Sequence, residues 1–149
     1  MPYRFLVDTP LGRLARWLRI LGFDAEYVPE TQEIGSSSDT ARIIVARPDK
    51  ISIFQDQACC PVKTDRVFDQ VAEIRERLGL TPADIQPFSR CIRCNRGIEE
   101  IPKKDVRARV PDYVWQTHSA FNHCVQCGRI YWRGSHFERS RNIILEIFH

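Results

Sequence analysis

The sequence contains no long apolar run. No segment approaches the roughly 18 consecutive apolar residues that a membrane-spanning helix requires, and Met1 to Arg4 lead directly into Phe5 without the apolar core of a signal peptide. Internal repeats and long low-complexity tracts are also absent. With 43% hydrophobic and 28% charged residues among 149, the composition is typical of a globular protein with one sizeable core and a small appendage. We therefore expect a cytoplasmic protein that makes no membrane contact.

The net charge of +3 is small, but the charges are unevenly distributed. Residues 1–86 contain 11 Lys and Arg against 13 Asp and Glu, whereas residues 87–149 contain 11 against 6. A basic second part suits a polyanionic partner, and acids beside it suit a metal that acts on phosphates. A solvated surface explains the same numbers, so the pattern is a reason to search for a nucleic-acid site rather than proof of one.

Short apolar segments alternate with amphipathic ones throughout the first part. The predicted strands are residues 4–8, 24–28, 42–46 and, shorter, 61–64. The predicted helices cover residues 11–21 and 67–78, and a short helix begins after Thr81. This alternation predicts an α/β domain over residues 1–88, with a mostly parallel sheet flanked by helices. Such sheets bind ligands at the carboxyl ends of their strands.

Aspartates near those strand ends are the candidate catalytic residues. Asp8 and Asp49 follow the first and third predicted strands, Asp65 follows the short fourth one, and Asp39 precedes the third. Carboxylates that converge on one or two Mg²⁺ or Mn²⁺ ions would hold a phosphodiester and activate water. Helix capping is an equally good interpretation of Asp65, and a turn is one for Asp39.

Basic residues form two candidate nucleic-acid-binding surfaces, one on the first predicted helix and one near the end of the chain. The five arginines concerned are Arg13, Arg16, Arg19, Arg129 and Arg133. Their guanidinium groups suit phosphates, and the neighbouring Tyr131 and Trp132 suit exposed bases. A solvated helix face is the alternative for the first surface, and a place in the core of a β-ribbon is the alternative for Tyr131 or Trp132.

Two C-x-x-C pairs, separated by 29 residues, occur in the second part. The predicted zinc ligands are Cys91, Cys94, Cys124 and Cys127. Four thiolates saturate a tetrahedral zinc and leave no position for substrate, so the predicted site is structural. We assign residues 89–149 to a zinc-ribbon domain that is too small to fold without its metal. Disulfides are the alternative, which the absence of a signal peptide makes the weaker one.

The segment between the two cysteine pairs is predicted to supply an apolar patch over the metal. Its members are Val106, Val110, Tyr113, Val114 and Trp115. The adjacent pair Cys59 and Cys60 lies in an apolar context and is interpreted as two small buried side chains rather than metal ligands.

Four stretches, in their order along the chain, carry a family resemblance. They are Phe5-Leu-Val-Asp8 with Leu11 to Asp24, Arg42 to Arg47, Arg90-Cys-Ile-Arg-Cys94, and Val110 to Val114 together with Cys124 to His136. The chain resembles the Mut-seven C-terminal RNase family, PIN-like ribonuclease domains that carry a C-terminal zinc ribbon. The resemblance implies a PIN-like sheet between helices, divalent-metal-dependent RNA cleavage at clustered acids, and a ribbon that helps to bind RNA.

The sequence departs from the family pattern around the proposed catalytic centre. Thr9 and Pro10 stand where the family typically has an acid soon after its first aspartate, and Asp49 is displaced by one residue from the usual Thr-Arg-Asp. The acid-bearing helix before the third strand is shortened to the region of residues 36–39. Two hypotheses follow: a PIN-like, Mg²⁺- or Mn²⁺-dependent ribonuclease, or a catalytically weakened or inactive PIN-like zinc-ribbon protein that binds RNA or a protein partner.

Overall fold

A parallel β-sheet organises the first part of the protein. The computed structural model describes residues 3–28, 41–51 and 57–149. Its sheet consists of β1 (Arg4–Val7), β2 (Asp24–Tyr27), β3 (Ile43–Ala46) and β4 (Cys59–Pro61), in the order β2-β1-β3-β4 with every pair parallel. The predicted α/β fold with a mostly parallel sheet is confirmed. Because β1 and β3 are central and covered on both faces, they consist of nearly continuous apolar residues.

Helices cover the sheet. They are α1 (Gly12–Ile20), which follows a 3₁₀ helix over Thr9–Leu11, α2 (Pro48–Ile51), α3 (Val67–Leu78) and the C-terminal α5 (Ser135–Phe148). On one face, Leu14 and Leu18 of α1 and Ile74 of α3 pack against Phe5, because apolar residues recur at helical spacing along both helices. Phe148 of α5 joins the same core. No helix in the described ranges is both long and apolar enough to cross a membrane.

The fourth strand begins earlier than the sequence pattern predicts. The predicted strand over residues 61–64 is misplaced: β4 covers Cys59–Pro61, and the ladder already begins at Ala58, whose carbonyl accepts a hydrogen bond of 2.9 Å from Ile44 N. Cys60 is therefore a core residue, whereas Cys59 is half-buried. Cysteine behaves here as a small apolar side chain, which is why a search for β-branched residues misses the strand.

The second part is a small antiparallel ribbon. Its strands β5 (Glu99–Ile101), β6 (Phe121–His123) and β7 (Ile130–Tyr131) pair in the order β5-β6-β7, and α4 (Asp112–Thr117) lies between β5 and β6 in the chain. The core of the ribbon consists of Val106, Val114, Phe121 and Ile130. The predicted apolar patch was wrong for Tyr113, which is 68% exposed because the next residue, Val114, occupies the packed face of the short α4.

The segment that joins the two parts packs tightly against the end of α1. Gly22 has φ +96°, and a side-chain carbon there would lie 2.3 Å from the Gln86 carbonyl oxygen, so glycine is required. Gln86 N and Phe88 N donate hydrogen bonds to the carbonyls of Leu21 and Ile20. The assignment of residues 1–88 and 89–149 to separate domains stays a prediction, and α5 packs its buried face on the core of the first part.

Candidate metal centre and nucleic-acid interface

The four cysteines of the two C-x-x-C pairs come together at one point of the ribbon. Their Sγ atoms all lie within 4.8 Å of one another, and Cys91 Sγ is 3.7 Å from Cys127 Sγ. Two thiolates on one tetrahedral zinc, each at about 2.3 Å from the metal, would be about 3.8 Å apart. A disulfide requires about 2.05 Å, and all six cysteines are free thiols. The geometry therefore fits a four-cysteine metal centre better than it fits disulfides.

The two cysteine turns have the same backbone hydrogen bonds. In the first, Asn95 N donates to the Cys91 carbonyl at 2.9 Å, and in the second Gly128 N donates to the Cys124 carbonyl at 2.8 Å. Asn95 and Gly128 occupy equivalent places and both have positive φ, 58° and 78°. Glycine adopts this conformation freely, and asparagine is among the few other residues that tolerate it. The turns therefore hold the thiols in position through the backbone.

Hydrogen bonding makes one of the four thiols acidic. Burial opposes the charged form of Cys91, but a hydrogen bond from the Tyr131 hydroxyl at 3.1 Å and backbone N–H groups lower its pKa to about 6. Burial and hydrogen bonds with Cys127 and Cys124 raise the pKa of Cys94 to about 12. Cysteine binds a metal as the thiolate, so a divalent cation that binds here would displace thiol protons. The donor set fits zinc.

Of the predicted catalytic residues that the structure describes, Asp8 is the one buried at the carboxyl edge of the sheet. It directly follows β1 and is 3% exposed. One carboxylate oxygen, Oδ1, accepts a hydrogen bond from Thr9 N at 3.0 Å, and the other, Oδ2, accepts one from Lys50 Nζ at 2.8 Å. Lys50 was not predicted to belong to this site. It could have been found from its position four residues after the adjacent strand β3, at the same edge of the sheet as Asp8.

Among the described residues, Asp49 and Asp65 do not form a metal-binding cluster with Asp8. Asp49 is exposed on α2, and Asp65 is 97% exposed at its side chain, with Oδ1 3.2 Å from Arg47 Nη2. Asp39 lies outside the described residues. Within residues 3–28, 41–51 and 57–149, the four cysteines are the one group of three or more His, Cys, Asp or Glu side chains close enough to share a metal. The described carboxylates therefore do not fit the Mg²⁺ or Mn²⁺ that the family resemblance implies.

A groove of about 1020 Å³ runs between α1, the ribbon and α5. Five arginines line it: Arg13, Arg16, Arg90, Arg129 and Arg133. Five aromatic residues line it as well: Trp17, Phe88, Tyr131, Trp132 and Phe137. Glu100 is the one acidic residue among the lining side chains. The groove thus combines positive charge with aromatic surface. We name this surface the interdomain groove.

Four of the five arginines that the sequence predicts for nucleic-acid binding meet in the interdomain groove, although they come from opposite ends of the chain. They are Arg13 and Arg16 of α1 and Arg129 and Arg133 beside β7. All four are exposed, and among the described residues none of them lies within 4.0 Å of a carboxylate. Their role in binding stays a prediction. The sequence pattern missed Phe88 and Arg90, which are distant from both predicted surfaces along the chain, and Phe137, which lies four residues after Arg133.

Arg19, the fifth predicted arginine, makes backbone contacts between the two parts of the protein. Its guanidinium group donates to the Ala25 and Ile92 carbonyls, each at 2.9 Å, and more weakly to the Arg93 carbonyl at 3.4 Å. Burial lowers its pKa, while Glu26 and other nearby negative groups oppose that shift. Arg19 therefore ties the ribbon to α1 and β2 and contacts solvent less than Arg13 and Arg16 do.

The fold and the cysteine site together define a class of protein: a parallel α/β domain joined to an antiparallel ribbon that can hold a metal through four thiolates. Comparison with known families goes further, because the family model described as Mut7-C RNAse domain matches residues 3–144. The chain belongs to the Mut7-C RNAse domain family, as its motifs predict. No curated protein and no solved structure matches the chain.

Proposed function

We propose that this protein binds single-stranded RNA in the interdomain groove, as an RNA-directed member of a ribonuclease family. The observation that carries the proposal is the lining of the groove, which contains five arginines, five aromatic side chains and one carboxylate. Phosphates of a nucleic-acid strand would pair with the guanidinium groups, and unstacked bases would lie on the aromatic rings. The membership in a family described by its RNase domain favours RNA over DNA.

Aromatic residues in the groove favour a single strand over a duplex. Tyr131, Trp132 and Phe137 are each half-buried, so part of each ring is open to the groove. Arg129 lies over the Tyr131 ring at 5.6 Å, and Arg133 lies over the Phe137 ring at 5.3 Å. Stacked base pairs in a duplex cannot offer their faces to such rings, whereas a single strand can. Each pair of an arginine and a ring would thus accept one phosphate and one base.

A smaller cavity adjoins the interdomain groove, and one of its lining residues contacts the residue that follows Asp8. It is about 170 Å³, shares Arg16, Ile92 and Arg129 with the groove, and is also lined by Gly12 and Tyr27. The Tyr27 hydroxyl donates to the carbonyl of Thr9, the residue after Asp8. A strand that leaves the groove along this cavity would approach the buried aspartate. This path favours a second candidate function, ribonuclease activity at Asp8.

Direct binding measurements test the proposal. We expect fluorescence anisotropy to show that the zinc-loaded chain binds a fluorescent single-stranded RNA with an affinity that falls as salt rises, because counterions are released from the phosphates. Replacing both Arg129 and Arg133 with alanine should weaken binding about tenfold or more and reduce the salt slope by about 1.4, at roughly 0.7 for each lost phosphate contact. Equal affinity of the wild type for RNA and for a DNA strand of the same sequence would show that the groove does not distinguish the sugar.

A matched control removes the same charge elsewhere. Arg66 and Arg77 are exposed, lie outside the groove lining and are not ion-paired with any described residue. The Arg66→Ala/Arg77→Ala variant should retain most of the affinity. Equal losses in both double variants would mean that net charge alone attracts RNA. If the wild type has no RNA affinity at low salt, the proposal fails, and the protein-partner alternative is the one that stands.

Ribonuclease activity, the second candidate, has its own test. The hypothesis predicts RNA cleavage that requires added Mg²⁺ or Mn²⁺ and is lost in Asp8→Asn, with Asp49, Asp65 and Asp39 as further candidate ligands. The zinc-loaded wild type and Asp8→Asn are incubated with labelled RNA, and products are resolved by electrophoresis, while thermal melting confirms that the variant folds. Equal trace cleavage by both proteins would mean that the protein binds RNA without cleaving it.

A cytoplasmic location of the protein stays a prediction.

A further inference from the structure

Both oxygens of the buried Asp8 carboxylate are already bonded to groups of the protein itself. Thr9 N donates to Oδ1 at 3.0 Å, and Lys50 Nζ donates to Oδ2 at 2.8 Å. The backbone is fixed as well, since Asp8 N donates to the Val45 carbonyl of the adjacent strand at 3.0 Å. A buried carboxylate is destabilised unless it is paired and hydrogen-bonded, and here the lysine supplies the opposite charge.

The course of the chain brings Lys50 to Asp8. Because β1 and β3 are neighbours with Val7 opposite Val45, the residues that follow the two strands emerge at the same edge. The turn of α2 begins there, and Lys50 N donates to the Arg47 carbonyl at 3.1 Å. The hydrogen bond and charge of Asp8, together with the charge of Asp49, raise the pKa of Lys50, so its amine is an ammonium at neutral pH.

Near this pair the described residues include one further carboxylate, that of Asp49, whose charge acts on Lys50. Mg²⁺ requires about six oxygen ligands and Ca²⁺-like ions six to eight, usually including more than one carboxylate. Asp65, the aspartate after β4, points into solvent and is engaged by Arg47. No described set of three acidic, histidine or cysteine side chains other than the four thiols converges on one point. Among the described residues, the one cation in contact with Asp8 is therefore the lysine ammonium.

We propose that Lys50 occupies the position beside Asp8 that a divalent cation would otherwise take, so that the wild-type chain has no Mg²⁺ or Mn²⁺ site that depends on Asp8. An ammonium and a divalent cation repel each other strongly at a separation of a few ångströms. They would compete for the same carboxylate oxygen, and the lysine is tethered there. This inference does not depend on RNA binding in the interdomain groove. It opposes the second candidate function, metal-dependent cleavage at Asp8, and the manganese titration below decides between the two.

Manganese binding to the zinc-loaded full chain tests the proposal. Electron paramagnetic resonance reports free Mn²⁺ during a titration, and thiolate sites strongly prefer zinc to manganese. Zinc content is checked before and after each titration. We expect wild type and Asp8→Asn to bind Mn²⁺ equally weakly. Lys50→Met, which removes the ammonium and retains the side-chain stem, should bind Mn²⁺ about tenfold more tightly or better, because the competing charge is gone.

Two further variants show whether the gain arises at Asp8. Lys50→Arg preserves a cation and should bind no better than wild type, while Lys50→Met combined with Asp8→Asn should lose the gain. An Mn²⁺ site in the wild type that Asp8→Asn abolishes would overturn the proposal, as would a folded Lys50→Met without tighter binding. If Lys50→Met does not fold, Lys50→Gln is measured in its place. The comparison of Mn²⁺ binding by wild type and Asp8→Asn then decides whether the wild type has an ion site at Asp8. RNA affinity is measured separately, so its absence leaves this result unaffected.

Discussion

Replacing Cys124 with serine should abolish zinc binding and unfold the ribbon. Cys124 is fully buried, and its Sγ lies within 4.8 Å of those of the other three cysteines. The core beneath it contains four buried apolar residues, which is too few to stabilise a fold alone. Structural zinc typically contributes about 10–16 kcal/mol to small domains of this kind. We therefore expect zinc content by mass spectrometry to fall from one ion per chain to nearly none.

Hydrogen exchange would show how far the unfolding spreads. We expect the amides of β5, β6 and β7 to lose protection in Cys124→Ser, whereas those of β1 and β3 keep theirs, because the core of the first part contains no zinc ligand. RNA affinity should fall as well, since Arg129 and Tyr131 hold their places in the interdomain groove through the ribbon. The matched control is Cys59→Ser, because Cys59 is half-buried in β4 and outside the cysteine group. A Cys124→Ser protein with one zinc and a protected ribbon would contradict the assignment.

The fold was predictable wherever burial leaves a periodic signal in the sequence. Phe5 to Val7 and Ile43 to Ala46 form unbroken apolar runs because central parallel strands are covered on both faces. The stripe of Leu14 and Leu18 repeats at helical spacing because α1 buries one face. The two C-x-x-C pairs predicted the metal centre because each spacing restricts two thiols to one turn.

The candidate site around Asp8 was less predictable, because it depends on which side chains meet across separate elements. Asp8 was found from its place after a strand, but its partner Lys50 comes from the turn of α2, and no periodic pattern marks such a contact. Arg13, Arg16 and Arg19 share one spacing, yet Arg19 alone reaches the carbonyls of the first cysteine turn. Spacing along a helix shows which residues share a face. It does not show what that face meets.

The contact that joins the first cysteine turn to the sheet carries the second large expected effect. Asn95 is 6% exposed, and its Oδ1 accepts a hydrogen bond from Ala25 N on the edge strand β2 at 3.0 Å. Its Nδ2 donates to Asp24 Oδ1 at 2.7 Å and Glu26 Oε1 at 3.2 Å. Burial opposes the charge on Asp24, but hydrogen bonds from Arg42 and Asn95 lower its pKa. The Asn95 side chain therefore forms hydrogen bonds with one backbone amide and two carboxylates of the edge strand β2.

Replacing Asn95 with glycine should lower the free energy of unfolding by about 2–3 kcal/mol, because hydrogen bonds to charged groups are lost and the Ala25 amide is left without its partner. The φ of 58° makes glycine the suitable replacement, as Gly128 has the equivalent place in the second turn. Asn95→Ala adds strain in this backbone conformation and should cost roughly 1 kcal/mol more. Urea denaturation with excess zinc, followed by tryptophan fluorescence, measures both variants. If Asn95→Gly is as stable as wild type, the hydrogen bonds from the first cysteine turn to the sheet do not contribute to stability. If only Asn95→Ala is unstable, backbone conformation rather than the side-chain contact determines the effect.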